Sequence, residues 1–302
     1  MNSDFSTVTY DVTASGVARI MLNRPERRNA QNHRLLYELN AAFDLAAQDD
    51  SVKVIILSGA GPHFSAGHDL RDPGPIPGEI EDYPPICTWG GFSLPGAEGW
   101  MAVEEEIYLG MSRRWRSIPK PTIAQVHGQV IMGGLMLMWV CDLIVASDDA
   151  SFRDFAVDMG VCGVEWFAHP WELGARKAKE MLFTGEAISA ADAHRLGMLN
   201  HVVPRDELES FTDDLALRIA RQPTFALKLA KEAVNQTLDA QGQMTAIQGA
   251  FSLHQIAHSH NERLFGSKVN PAGLNEAVRN RPGSYWEEAK RVVPAGADEG
   301  VE

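Results

Sequence analysis

The stretch VIMGGLMLMWVCDLIVA, residues 130–146, decides how this chain is read, because it holds one charged residue, Asp142, in seventeen. A membrane span needs about 20 predominantly apolar residues. Here the uninterrupted apolar run is only Val130–Cys141, and its upstream flank PTIAQVHGQ carries Gln125, His127 and Gln129. The paired glycines Gly133 and Gly134 instead predict a turn opening a short buried helix, followed by a strand in DLIVAS.

Working outward, 302 residues are enough for a large core and a smaller appended unit. With 45% hydrophobic and 22% charged residues, the composition is that of a soluble globular protein. A formal charge of −13 argues against a nucleic-acid partner or an anionic membrane surface. The opening MNSDFSTVTYD shows neither a basic region nor an apolar run, so no secretory signal is read there. Cys87, Cys141 and Cys162 are odd in number and lack metal-ligand spacing, which suits reduced thiols in a cytoplasmic protein.

VTYDV and VARIMLN around TASG predict a hairpin, residues 32–47 a helix, and VKVIILSG a buried strand. The loop GPHFSAGHDLRD follows, then a Pro- and Gly-rich insert over residues 72–100. An insert of that length suggests a partly ordered lid, and Trp89, Phe92 and Trp100 either line a pocket or fold the insert onto the body. AVEEEIYLGMSRRWRSI predicts an amphipathic helix, and PTIAQVHG a strand. ISAADAHRLGMLNHVV predicts a helix capped by Ser189 and stopped by Gly197, and residues 205–221 and 223–260 predict two longer helices.

Two segments, HFSAGHDL (63–70) and HGQVIMGGLMLMWVCDLIVAS (127–147), together resemble the crotonase superfamily, also called the enoyl-CoA hydratase/isomerase family. LNRPERRNA and LFTGEAISAADAHRLGMLNHVV match the same family in the same order, so the resemblance spans roughly residues 8–265. It implies an α/β (α+β) fold, a spiral of ββα turns with perpendicular sheets and a C-terminal helical oligomerisation region. Residues 1–204 would form the spiral core and 205–302 the helical region and irregular tail.

The resemblance also implies an acyl-CoA substrate, with coenzyme A as part of that substrate and no further cofactor. Two backbone N–H groups would stabilise the charge that develops on a thioester oxygen. Matching positions makes these the amides of His68 and Gly133, so the His68 side chain need not take part. Ser65, Ala66, Asp69 and Leu70 map to the coenzyme A adenine, and Arg24, Arg27 and Arg28 are candidates for its phosphates, although a solvated turn accounts for each arginine singly. Family members also assemble as homotrimers, often paired into hexamers. Arg279 or Arg281 could complete a neighbour's coenzyme A site.

The sequence departs from the hydratase pattern at two positions. The two usual glutamates fall at Met136 and Ala156. Glu165 is the candidate replacement: among Val161, Val164, Trp166 and Phe167 its carboxyl would be raised, and His169 four residues on would share a helix face with it. A structural Glu–His pair has the same pattern. Asp158 is a second candidate acid if residues 156–158 are extended, and a surface group if they are not. His254 and His258 have the i, i+4 spacing of a metal pair, but no supporting ligands stand near them in the sequence, so no metal is expected. An enzyme acting on an acyl-CoA, through isomerisation, decarboxylation, C–C cleavage or thioester hydrolysis, stands beside a non-catalytic acyl-CoA-binding protein as the alternative.

Overall fold

In the computed structural model, which describes residues 5–274, β1 (Val8–Val12) pairs antiparallel with β2 (Val17–Leu22), as the two β-rich runs predict. Every later strand of this sheet joins in parallel: β3 (Val54–Gly59), β4 (Thr122–Val126), β6 (Leu143–Ser147) and β9 (His201–Val203), in the order β1-β2-β3-β4-β6-β9. A parallel strand is covered on both faces, which is why β3 is buried throughout and opens with the apolar run 54–57 rather than alternating. Its side chains divide between two cores. Ile55 and Leu57 face the main core with α1 (His33–Gln48), while Val54 and Ile56 pack with α7 (Leu208–Ala220).

The quoted stretch is a strand, a turn, a helix and a second strand. β5 (Gln129–Ile131) leaves the large sheet for a small one with β7 (Ser151–Arg153) and β8 (Ile188–Ser189). α4 (Gly133–Trp139) is buried along its whole length, and β6 returns to the large sheet. The insert has no helix or strand before α2 (Gly96–Glu104), yet Ile80 is buried and Tyr83 and Ile86 pack on the main core. The amphipathic helix expected after it is α2, a π-helical turn over Glu105–Gly110 and α3 (Met111–Arg116).

α5 (His169–Thr184) and α6 (Ala190–Leu196) follow, the latter capped by Ser189 and stopped at Gly197 as expected. The single helix expected over 223–260 is two, α8 (Thr224–Ala240) and α9 (Gln243–Phe265). Gly242, at φ 93°, takes the left-handed conformation that ends a helix and that side chains disfavour. Among the described residues no helix is long and apolar enough to cross a membrane.

Candidate active site

Two loops meet at the site, and backbone pairing holds them. Ile131 N–H donates to the Ser65 carbonyl at 3.0 Å, Gln31 N–H to that of Gly67 at 2.7 Å, and Asp69 N–H to that of Gln31 at 2.9 Å. Gly67 has φ 83°, and a Cβ there would lie 2.7 Å from the Ile131 carbonyl oxygen and 3.1 Å from the Gly133 nitrogen. A Cβ on Gly133 would in turn lie 2.5 Å from the His68 ring. The two glycines therefore permit the close approach of the loops. Among the described residues the amides of His68 and Gly133 donate no hydrogen bond, and Gly133 opens α4 after Met132, whose φ is 46°.

Beside these amides lies a cavity of about 110 Å³. Ala66, Leu70, Met132, Phe155, Met159, Val161 and Val164 supply its apolar wall, and His68, Glu104, Tyr108, Glu165, His254, His258 and Lys268 its polar wall. Glu165 Oε2 is 3.0 Å from His68 Nε2, and Glu165 Oε1 is 3.6 Å from His254 Nε2. The Tyr108 ring stacks on His68 with 3.8 Å between centroids. Burial pushes the Glu165 carboxyl up, but the neighbouring His68 and His254 outweigh it, and the group is lowered below its ordinary value. This overturns the raised value expected from its apolar sequence neighbours.

Glu104 lies deeper. It accepts from Lys268 Nζ at 2.9 Å and from Gln255 Nε2 at 2.6 Å, and His258 Nε2 is 3.2 Å away. Burial opposes ionisation here too, but Lys268 and the two histidines hold the carboxyl well below its usual range.

Other expected groups lie elsewhere. His169 does not pair with Glu165. Residues 165–168 are not helical, α5 begins at His169, and His169 Nε2 is 2.8 Å from Asp154 Oδ2 with both side chains fully buried. Asp154 also accepts from the amides of Ala156 and Val164, so it braces the loop that carries Glu165. Asp158 is exposed: β7 ends at Arg153, residues 156–160 form turns, and no extended register carries Asp158 into the cavity.

Of the residues matched to coenzyme A, Ala66 and Leu70 line the cavity. Arg24 and Asp69 are buried and pair with each other at 3.0 Å, which braces the loop. Ser65 is also buried, donating to the Asn29 carbonyl at 2.8 Å and accepting from Gly67 N–H at 3.2 Å. Arg27 and Arg28 are exposed on the turn. Met136 and Ala156 are buried. Trp89 is 52% exposed, and Trp100 presents its ring to His258 at 6.5 Å. Arg279 and Arg281 lie outside the described residues.

The sequence gives no site role to Glu104, Tyr108 or Lys268, and for His254 and His258 only the i, i+4 spacing of a metal pair without supporting ligands. The available signal was polar residues in apolar helical runs, EEEIY at 104–108 and SLHQIAHSH at 252–260. Nothing in either run points to the other.

The family profile for enoyl-CoA hydratase/isomerase matches residues 12–75 and 100–269, leaving most of the insert between the matched segments. A Mycobacterium tuberculosis protein carrying an enoyl-CoA hydratase name, EchA13, is 45% identical over 302 residues, covering 97% of this chain and 92% of its own. The 1,2-epoxyphenylacetyl-CoA isomerase of Escherichia coli is 33% identical over 233 residues, covering 75% of this chain and 82% of its own. A crystal structure from Mycobacterium smegmatis, also carrying an enoyl-CoA hydratase name, superposes with a TM-score of 0.79 at 50% identity, over 88% of this chain and 99% of that one.

Proposed function

The chain belongs to the enoyl-CoA hydratase/isomerase family, and from that membership we propose that it transforms an acyl-CoA thioester with Glu165 as its acid–base group. The amides of His68 and Gly133 face the thioester oxygen and stabilise the negative charge that develops on it. Two such preorganised donors can each contribute a few kcal/mol to the barrier. Coenzyme A enters as part of the substrate.

The observation that carries this reading is the 3.0 Å contact between Glu165 and His68. It ties the carboxylate to the same residue whose amide is one of the two donors. His68 is a positioning residue: it stacks on Tyr108 and aims the Glu165 carboxylate along the cavity. Met136 and Ala156, at the positions of the two usual glutamates, cannot move a proton, which counts against hydration by that pair. With Glu104 held by Lys268 and Gln255, Glu165 is the carboxylate left beside the two amides, which suits proton transfer next to the thioester, as in double-bond isomerisation, decarboxylation or C–C cleavage.

The test compares wild type with Glu165→Gln over saturated, enoyl, malonyl-type and cyclic acyl-CoAs, with mass-spectrometric turnover and calorimetric binding on the same samples. Turnover by wild type should fall by about 10²–10⁴ in the variant, the range attributable to one general acid or base, while affinity stays within about threefold. Equal turnover in the two proteins would overturn the role of Glu165. Binding without turnover of any class would make the protein an acyl-CoA carrier.

The proposal extends to a homotrimer or a pair of trimers. Among the described residues α8 has none that is buried and exposes Phe225, Leu229 and Val234, while α9 exposes Leu253, Ile256 and Leu264. Apolar faces of this kind mark interaction surfaces.

A further inference from the structure

We propose that Glu104, His254 and His258 bind one divalent transition-metal ion of the zinc, cobalt or nickel class in the wall of the cavity. The three side chains come from two helices. Glu104 ends α2, and His254 and His258 stand one turn apart on α9. Each is at most 4% exposed, and their donor atoms all lie within 4.8 Å of one another.

The hydrogen bonds on the far side of each ring determine which nitrogens remain available. His254 Nδ1 is 2.7 Å from the Gly163 carbonyl oxygen, and His258 Nδ1 is 2.5 Å from that of Lys268. A carbonyl only accepts, so each Nδ1 carries its hydrogen, and in the neutral form that binds a metal each ring would offer the Nε2 lone pair. Both Nε2 atoms are buried and without a hydrogen-bond partner. They converge on Glu104, which also offers only lone pairs: His258 Nε2 is 3.2 Å from Oε1 and His254 Nε2 is 3.7 Å from Oε2. Both Nε2 atoms and the carboxylate can therefore direct lone pairs at one cation, with the Lys268 ammonium on Oε1 as the competitor for that place.

The spacing suits a metal ion. Zinc bonds of about 2.0–2.2 Å in a tetrahedron place neighbouring donors about 3.3–3.6 Å apart. The two histidine–carboxylate separations, 3.2 Å to Oε1 and 3.7 Å to Oε2, lie close to that range, and the whole donor set falls within 4.8 Å, so side-chain adjustment closes it around an ion. Imidazoles whose other nitrogen is anchored on a backbone carbonyl are the usual outer support of a ligating histidine. Two imidazoles and one carboxylate select the borderline transition ions over calcium or magnesium, which prefer oxygen ligands. All three residues line the cavity, so a remaining coordination position would open into it.

Two cationic or polar groups share the carboxylate. Gln255 donates to Oε2 and holds it in place. The Lys268 ammonium, 2.9 Å from Oε1, competes with a metal for the same charge, and its side chain is 37% exposed, with room to withdraw. Glu165 stands next to His254 but is engaged by His68.

The site is tested without turnover, so its failure would leave the acyl-CoA reading untouched. Untagged full-length protein, stripped with a chelator and desalted, is titrated with Co²⁺ and with Zn²⁺, and bound metal is counted by plasma emission. One ion per chain is expected, with the visible absorption of low-coordinate Co²⁺. Glu104→Gln or His258→Gln should weaken binding beyond the roughly 10- to 100-fold that loss of an outer-shell partner costs. Lys268→Met should tighten it by about tenfold, because a like charge leaves the site. Substoichiometric metal, or affinity unchanged in the Glu104 and His258 variants, overturns the proposal. Should those variants not fold, X-ray absorption on metal-loaded wild type decides: two imidazoles around the ion support the site, and one or none overturns it.

Discussion

Gly67 shows how a single residue can set the geometry on which the proposed chemistry depends. At φ 83°, with the Ile131 carbonyl 2.7 Å from where a Cβ would sit, it is strained and crowded for any other residue. Gly67→Ala should destabilise the protein by about 1–3 kcal/mol and weaken acyl-CoA binding, since the His68 and Gly133 amides are placed by the same contact. Gly249 is a control of the same residue type: it is exposed on α9 with open space around its Cα. Gly249→Ala should stabilise by about 0.5–1 kcal/mol and leave binding alone. Denaturant titration of both variants measures the contrast, and equal effects at the two positions would contradict this account of Gly67.

At the scale of elements, the insert is held less by its own composition than by one buried carboxylate on the π-helical turn. Glu106 is fully buried and accepts from the amides of Ile86 and Cys87 at 2.6 and 2.7 Å and from the Tyr37 hydroxyl at 2.8 Å. Burial, followed by the nearby Glu106 charge, pushes the Cys87 thiol up to about 12, so it stays protonated and slow to alkylate at neutral pH. Glu106→Gln turns one accepting oxygen into a donor that faces donors, a loss of about 2–3 kcal/mol for charge-assisted bonds. The expected result is rapid hydrogen exchange at Ile86 and Cys87 and faster alkylation of Cys87, with the β-sheet amides still protected. Unchanged exchange and labelling would show that apolar packing of Ile80 and Ile86 alone orders the insert.

At the scale of the whole molecule, α8 is an amphipathic helix that leaves Phe225, Leu229 and Val234 exposed among the described residues. Light scattering should therefore give three or six times the mass of one chain. Phe225→Glu combined with Leu229→Glu, both on that face and 71% and 53% exposed, should shift the protein toward smaller species. A wild-type monomer at micromolar concentration would remove the trimer from the proposal.

Much of the fold was legible in the chain because it rests on local rules. The hairpin, the buried parallel strands, the glycine-opened α4 and the Ser189 cap each follow from periodicity or turn chemistry within a dozen residues. The pairing of the His68 and Gly133 amides was implied by the family resemblance rather than by local rules, and in the structure Gly67 lets their two loops approach. Three features were not legible. Glu165 was expected to pair with His169 because they are four apart, yet the helix that would align them begins only at His169, and the partners became His68 and Asp154. The carboxyl of Glu165 was expected to rise because its sequence neighbours are apolar, but histidines 97 and 89 residues away lower it. Glu104 stands about 150 residues before His254, and only the packing of α2 against α9 brings them together. Sequence determines what is set by nearest neighbours along the chain: turns, caps and the faces of helices and strands. Charge interactions fall off with distance in space rather than along the chain, so which buried groups face one another is decided only when the elements pack.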